Sequence, residues 1–414
     1  MISDAKSGRN LDCGSAEGQQ RGTPAYNPPV IPRHDVLIVG AGVVGCSVAF
    51  HLTRRGIRSV AIVERERIPG TGSTSKANGG IRAQFTTKVN VAMSLRSMDI
   101  LDALAEEIGE PPVYHKAGYL FLTASIERLA AMERAVTFQR SLGVTVELLD
   151  RDDALRLAPF VEGSDLVGGS FGARDGFIDP GALAGFFLRE ATRAGVELVC
   201  GAEVLAIDRT PAGSFVVTTT AGKREAGVVV NAAGAWSARV AALVGVDLPV
   251  EPVRRHLLMT GPCPSLPPVI PMTIDADTGI LIRREGDRVL IAYSNPDEPA
   301  GFVTEFDPLF PERIAGPFER RFPRVAEAGL DLRRSWAGLY EVTPDHHAIL
   351  GAAADVPGFF LATGFSGHGI MHAPAAGEAV AEWIADGRSA SVDISPLALE
   401  RFARGETIHE MMVL

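Results

Sequence analysis

The stretch from His34 to Glu64 limits what this chain can fold into more than any other. Asp35–Val39 is a short, apolar, β-branched run of the kind that forms a buried parallel strand. Gly40-Ala-Gly42 follows as a turn tight enough for backbone to approach a phosphate. Val43, Val44 and Gly45 then open a helical pattern that runs to Arg55, with Gly56 to end it. A second apolar strand closes on Glu64, whose carboxylate can accept both hydroxyls of an adenosine ribose, and Arg65 stands beside it. A Gly-x-Gly-x-x-Gly spacing alone is weak. Here it follows a strand, opens a helix and meets an acid about 20 residues on, which predicts a βαβ unit that binds a dinucleotide.

The chain has 414 residues and a formal net charge of −10. That length suits about two or three domains. The charge argues against a nucleic-acid partner, and no apolar run reaches the length of a membrane span. The cysteines (Cys13, Cys46, Cys200, Cys263) show neither metal nor disulfide spacing, so no metal site is expected. A reducing cytoplasm is the expected compartment.

Residues 1–33 are polar, rich in Gly, Ser and Pro, and read as a disordered tail without a signal-peptide pattern. The α/β nucleotide domain is expected to be discontinuous and Rossmann-like, built from residues 34–110, 169–247 and 336–414. Residues 111–168 and 248–335 are excursions that can pair into a smaller, mixed-sheet substrate domain, with Pro-rich loops in the second. Helices are expected at Val89–Glu107, Ile126–Ser141, Gly181–Arg193 and Met371–Ala385. Strands are expected at Tyr119–Thr123, Arg288–Tyr293 and Phe359–Thr363.

Three further stretches suit a bound cofactor. Gly72, Ser73, Thr74 and Ser75 offer hydroxyls and backbone donors, and Asn78, Gly79, Gly80 and Ile81 let a flat ligand approach the main chain. The strand from Ala226 ends in Ala232-Ala233-Gly234, again small enough for close approach. Gly364-Phe-Ser366-Gly367-His368-Gly369-Ile370 is a second strand-to-helix turn. The positive end of its helix would stabilise the negative charge that a reduced flavin carries at its pyrimidine edge. Nicotinamide would gain nothing comparable, so two such turns suit one extended FAD.

Taken together, these residues resemble the FAD-dependent D-amino-acid oxidase superfamily, which includes glycine oxidase, sarcosine oxidase and related dehydrogenases. The motifs that carry the resemblance occur in family order. They are Gly40–Gly45 with Glu64, the Gly72 loop with Ile81-Arg82, Asn231–Trp236, Gly338–Asp345 and Gly364–Gly369. Gly338–Asp345, Gly364–Gly369 and Asn295–Pro299 are most similar to the branch of the sarcosine oxidase β-subunit, proline dehydrogenase and dimethylglycine dehydrogenase. Val204, Trp236, Gly338 and Met371 complete the cofactor contacts that the resemblance implies.

The resemblance implies non-covalent FAD and oxidation of the C–N bond of a small amino acid, with secondary or tertiary amines favoured. Hydride passes to the flavin and the imine then hydrolyses. Arg82 matches the family's carboxylate-binding arginine, Tyr340 falls on the pocket wall, and His368 makes a polar contact near the ring. Met371 stands where sarcosine oxidases often carry a lysine. Leu290 stands where they carry the lysine that promotes reaction with oxygen. The acceptor is then oxygen or a dye, quinone or protein, and a hetero- or homo-oligomer is left open. A 2-hydroxy-acid or polyol dehydrogenase, and an electron-relay FAD subunit of a hetero-oligomer, are the alternatives. His256, His346 and His347 are expected in loop or surface roles.

Overall fold

A computed structural model of the chain describes residues 31–107 and 111–410. The tail expected at residues 1–33 lies outside the described residues as far as residue 30, and Arg33 already belongs to the first strand. That strand, β1 (Arg33–Val39), leads into α1 (Val43–Arg54) and β2 (Val60–Glu64), the expected βαβ core. A single 3-10 turn at Thr74–Lys76 precedes β3 (Gly80–Ile81), α2 (Lys88–Glu107), β4 (Tyr114–His115) and β5 (Tyr119–Thr123). Next come α3 (Ile126–Ser141), β6 (Glu147–Asp150) and α4 (Arg151–Leu157). Ser125 and Asp150 cap these two helices, each side chain accepting a first-turn N–H.

β7 (Gly168–Gly172) and β8 (Gly176–Ile178) lead to α5 (Pro180–Arg193), which combines an Asp179 cap with proline in its first turn. β9 (Glu197–Cys200), β10 (Val204–Arg209), β11 (Phe215–Thr219), β12 (Gly222–Asn231) and α6 (Ser237–Ala242) follow. The chain continues through β13 (Glu251–Met259), β14 (Met272–Asp275), β15 (Ile280–Glu285) and β16 (Arg288–Tyr293). α7 (Phe310–Arg321) and α8 (Pro323–Ala326) come where Pro-rich loops were expected; proline at the start of α7 and Pro317 inside it hide the helix from a propensity reading. β17 (Trp336–Val342), β18 (Ile349–Ala352), β19 (Phe359–Thr363) and α9 (Gly369–Asp386) complete the order.

The first sheet has eight strands in the order β10-β11-β12-β1-β2-β9, with β19 and then β18 joined to β12. Within it β9, β2, β1, β12 and β19 pair in parallel. Val36 and Ile38 of β1 bury into one core cluster, Leu37 and Val39 into another on the opposite face. That two-sided burial is why the strand is a continuous apolar run rather than an alternating one. α1 is buried along almost its whole length because it packs against both α5 and α9.

The second sheet also has eight strands, ordered β17-β13-β16-β15-β14-β5-β7-β6. The parallel pair β5–β14, with Ile274 opposite Phe121, joins its two halves. β17 forms one edge, and Arg255 of β13 stands opposite Gly338. A small antiparallel sheet, β3-β8-β4, carries the segment that enters Arg82. Among the described residues, no helix is long and apolar enough to cross a membrane.

Candidate active site

A cavity of about 380 Å³ is lined by residues from both large sheets. At one end stand Gly40, Gly42, Val43, Val44, Glu64 and Arg65. Gly72, Ser73, Thr74, Asn78, Val204 and Ala232–Trp236 form its walls. Gly338–Glu341, Gly367, Gly369 and Ile370 close the other end. The N-termini of α1 and α9 therefore both lie on one cavity, and each helix start presents main-chain N–H groups without intrahelical partners.

At the α1 end the backbone is packed to its limit. Gly40 takes φ +106°, and a Cβ there would lie 2.4 Å from the carbonyl oxygen of Ala232. A Cβ at Gly45 would lie 2.0 Å from the Gly40 carbonyl oxygen, so Gly45 supports the turn from beneath and does not line the cavity. The Ala41 N–H donates to Glu64 Oε2 at 2.7 Å, and the Glu66 N–H donates to Oε1 at 2.9 Å. Each carboxylate oxygen keeps a further lone-pair direction for a ligand hydroxyl. The Val43 N–H donates to Thr74 Oγ1 at 3.0 Å, which ties the Gly72–Ser75 loop to the start of α1. The Arg65 guanidinium lies 4.1 Å from the ring centroid of Trp236.

At the other end Glu341 organises the second turn. Its carboxylate accepts from Thr363 Oγ1 at 2.8 Å and from the Phe365 N–H at 3.3 Å, and its carbonyl accepts from the Ser366 N–H at 3.0 Å. Burial pushes this carboxyl above the usual range, against the pull of those hydrogen bonds. Ser366 holds a left-handed φ of 51°, a strained conformation for a residue with a side chain, and its Oγ accepts from the Thr343 N–H at 3.1 Å.

A smaller cavity of about 40 Å³ adjoins the first, and Asn78, Ala292–Ser294, Tyr340 and Gly367 line both. Arg82, Tyr119, Gly279, Leu281, Ser366, His368 and Met371 complete its wall. The structure thus brings Arg82, Tyr340 and His368 around one space. Arg82 is fully buried; its guanidinium lies 3.9 Å from the Phe85 ring centroid and donates through Nη1 to the Gln84 carbonyl. Tyr119, Glu410, Asp175 and Tyr340 act on it electrostatically. Glu410 itself accepts from the Thr86 N–H at 2.8 Å and from Thr87 Oγ1 at 3.1 Å. Burial first, then the neighbouring Arg82, pushes His368 well below the usual imidazole range, so it stands neutral. Burial pushes the Tyr340 and Tyr119 phenols up, so both keep their protons.

Several expected contacts lie elsewhere. Ser75, Gly79, Gly80, Ile81 and Gly364 line neither cavity. Gly79 and Gly80 are small because Ile178 and Tyr119 press on them, Ile81 is core, and Gly364 abuts Thr343. Leu290 is completely buried with Leu257 and Met259. Ala292 and Tyr293 are the residues of β16 on both cavity walls, and Leu290 lines neither cavity. His256 is buried within β13, and His347 lies in the loop between β17 and β18 as expected, although buried there. His256 stacks on Phe310 at 4.1 Å, and His347 bonds to Thr87 Oγ1 at 3.0 Å. Tyr119, Glu341 and Arg255 on the cavity walls went unnoticed in the sequence. For Glu341 the available signal was an acid inside an otherwise apolar strand.

The residues present fit an FAD molecule. Two helix N-termini, a carboxylate with spare lone pairs and walls of glycine and alanine lie along one elongated space, and a Cβ at Gly40 or Gly367 would intrude on its lining. Comparisons with known proteins agree. A family model described as FAD dependent oxidoreductase (DAO) matches residues 35–383. The FAD-dependent oxidoreductase domain-containing protein 1 of Bos taurus is 33% identical over 94% of this chain and 90% of its own length. The glycine oxidase of Geobacillus kaustophilus is 32% identical over 89% of this chain and 97% of its own. The solved structure of L-proline dehydrogenase from P. horikoshii superposes with a TM-score of 0.85 at 28% identity, over 92% of this chain and 100% of that one.

Proposed function

The chain belongs to the DAO family of FAD-dependent oxidoreductases, and from that premise we propose that it oxidises the C–N bond of a small amino acid, favouring secondary or tertiary amines. The observation that carries this reading is the junction of the two cavities at Tyr340 and Gly367. The larger cavity has the shape and polarity for the cofactor. The smaller one offers a guanidinium, a neutral imidazole and neutral phenols, which suit a carboxylate next to an amine.

In this reading bound FAD supplies the hydride acceptor. Glu64 and the start of α1 hold its adenosine and phosphate end, and the start of α9 faces the other end. The cofactor is held without a covalent link. Arg82 binds the substrate carboxylate by a charge-assisted hydrogen bond, and Tyr340 orients it from the opposite wall. His368 is too weakly basic to take the amine proton, so the amine enters deprotonated and no general base is required. Tyr119 and Met371 give the small cavity part of its wall, and the Phe85 ring packs on the Arg82 guanidinium.

His368 on the cavity wall favours one second reading, oxidation of a 2-hydroxy acid, in which the imidazole accepts the hydroxyl proton. Its depressed basicity weighs against that role. Anaerobic bleaching of the bound flavin by a panel of N-methyl amino acids, imino acids and hydroxy acids separates the two. Bleaching by the amines alone is expected, and bleaching by the hydroxy acids alone would overturn the proposal.

A further inference from the structure

Strand alternation sends neighbouring side chains of β13 to opposite faces of the second sheet. The His256 ring stacks on Phe310 at 4.1 Å and accepts the Asp307 N–H at 3.1 Å. Arg255 points the other way. It lines the large cavity, and its guanidinium lies 5.4 Å from the ring centroid of Tyr340. Its cross-strand neighbour is Gly338, over which the Lys76 side chain packs.

The donors of Arg255 are largely unspent. Nη1 donates to the Arg254 carbonyl at 3.0 Å, and Nε is buried without a hydrogen-bond partner. Among the described residues no carboxylate lies within ion-pair distance of it. The nearest acid acting on it, Glu298, is taken by Arg254, Nε to Oε1 at 2.6 Å. A half-buried cation with a free donor is costly unless something anionic meets it. Tyr340 lines both cavities and is acted on by both guanidiniums, Arg255 on the wall of the large cavity and Arg82 on the wall of the small one. A ligand that extends from the small cavity past Tyr340 into the large one would come within reach of Arg255.

We propose that Arg255 is an anion subsite for a second acidic group of the substrate, so that the preferred substrates are amino acids carrying a further carboxylate. This rests on the amino-acid reading for the substrate class, but the subsite itself can be tested without turnover. Holoenzyme is titrated with glutarate and with butyrate, following perturbation of the bound flavin spectrum, in the wild type, Arg255→Lys and Arg255→Met. The wild type is expected to bind the dianion about tenfold or more tighter than the monoanion. Arg255→Lys keeps part of that preference and Arg255→Met loses it. Equal affinities in the wild type would overturn the proposal, as would a preference that survives in Arg255→Met. Loss of FAD from Arg255→Met, with an unaltered preference in Arg255→Lys, would assign Arg255 to the cofactor and equally overturn it. If no amine bleaches the flavin yet the dianion preference stands and depends on Arg255, the amine reading fails while the subsite holds.

Discussion

The ring of Tyr340 occupies the space that a side chain at Gly367 would need, since a Cβ there would stand 2.4 Å from Cε2 of the ring. Gly367 also takes φ +99°, a conformation that favours glycine. Together with the hydrogen bonds from Phe365 and Ser366 to Glu341, this contact holds β17 against the turn before α9. It sets how Tyr340 faces both cavities.

Gly367→Ala must therefore either displace Tyr340 or distort the turn. The expected result is a loss of about 1–3 kcal/mol in stability together with lower FAD occupancy. Thermal melts and the flavin-to-protein absorbance ratio check it. A variant with unaltered melting and flavin content would show that the contact is dispensable.

Glu64→Ala removes an acceptor from the Ala41 N–H as well as from the expected ribose hydroxyls. One or two charge-assisted hydrogen bonds correspond to about ten- to a hundredfold in affinity. Flavin content after gel filtration should fall accordingly, and full retention of FAD would count against the ribose assignment.

Arg82→Lys keeps the charge but loses the planar fork. The Michaelis constant for a carboxylate substrate should rise about tenfold or more while FAD content stays level. A parallel fall in both would place Arg82 in service of the cofactor. Arg82→Ala is a poorer probe, because it strips a buried cation from the carboxylates of Glu410 and Asp175 that act on it.

The groups around the small cavity give a definite pH dependence. His368 is held below the neutral range, and Tyr119 and Tyr340 above it. His368 and Tyr119 titrate outside the range of the substrate amine. The rate of flavin bleaching per unit of substrate should rise with pH, up to about tenfold per unit, and level off at the amine's own pKa. Two substrates of different amine basicity should give correspondingly shifted profiles. A profile fixed in place for both would indicate a titrating group on the protein.

Much of the nucleotide half was legible in the sequence because its signals are local. The β1–α1–β2 unit declares itself by a two-sided apolar run, a glycine turn and an acid at fixed spacing, and Gly364–Ile370 by small residues between strand and helix. The substrate side was less legible, since its features arise from pairing across long separations. Nothing local shows that β14 joins β5, or that Arg255 faces Gly338 across β13 and β17. A glycine in the Gly72–Ile81 loop reports close backbone packing as well as room for a ligand, as Gly79 does under the Ile178 carbonyl. Leu290 shares its strand face with Ala292 but packs against Leu257 and Met259, a placement set by strand pairing that nothing local in the sequence shows.

Anaerobic mixing of FAD-loaded protein with an N-methyl amino acid tests the account most directly. The flavin absorbance near 450 nm, roughly where any oxidised flavin absorbs, should bleach in a substrate-dependent, saturable way, with the imine product hydrolysing to a keto acid and free amine. A flavin that stays oxidised with every amine tried, while a hydroxy acid bleaches it, would contradict the account.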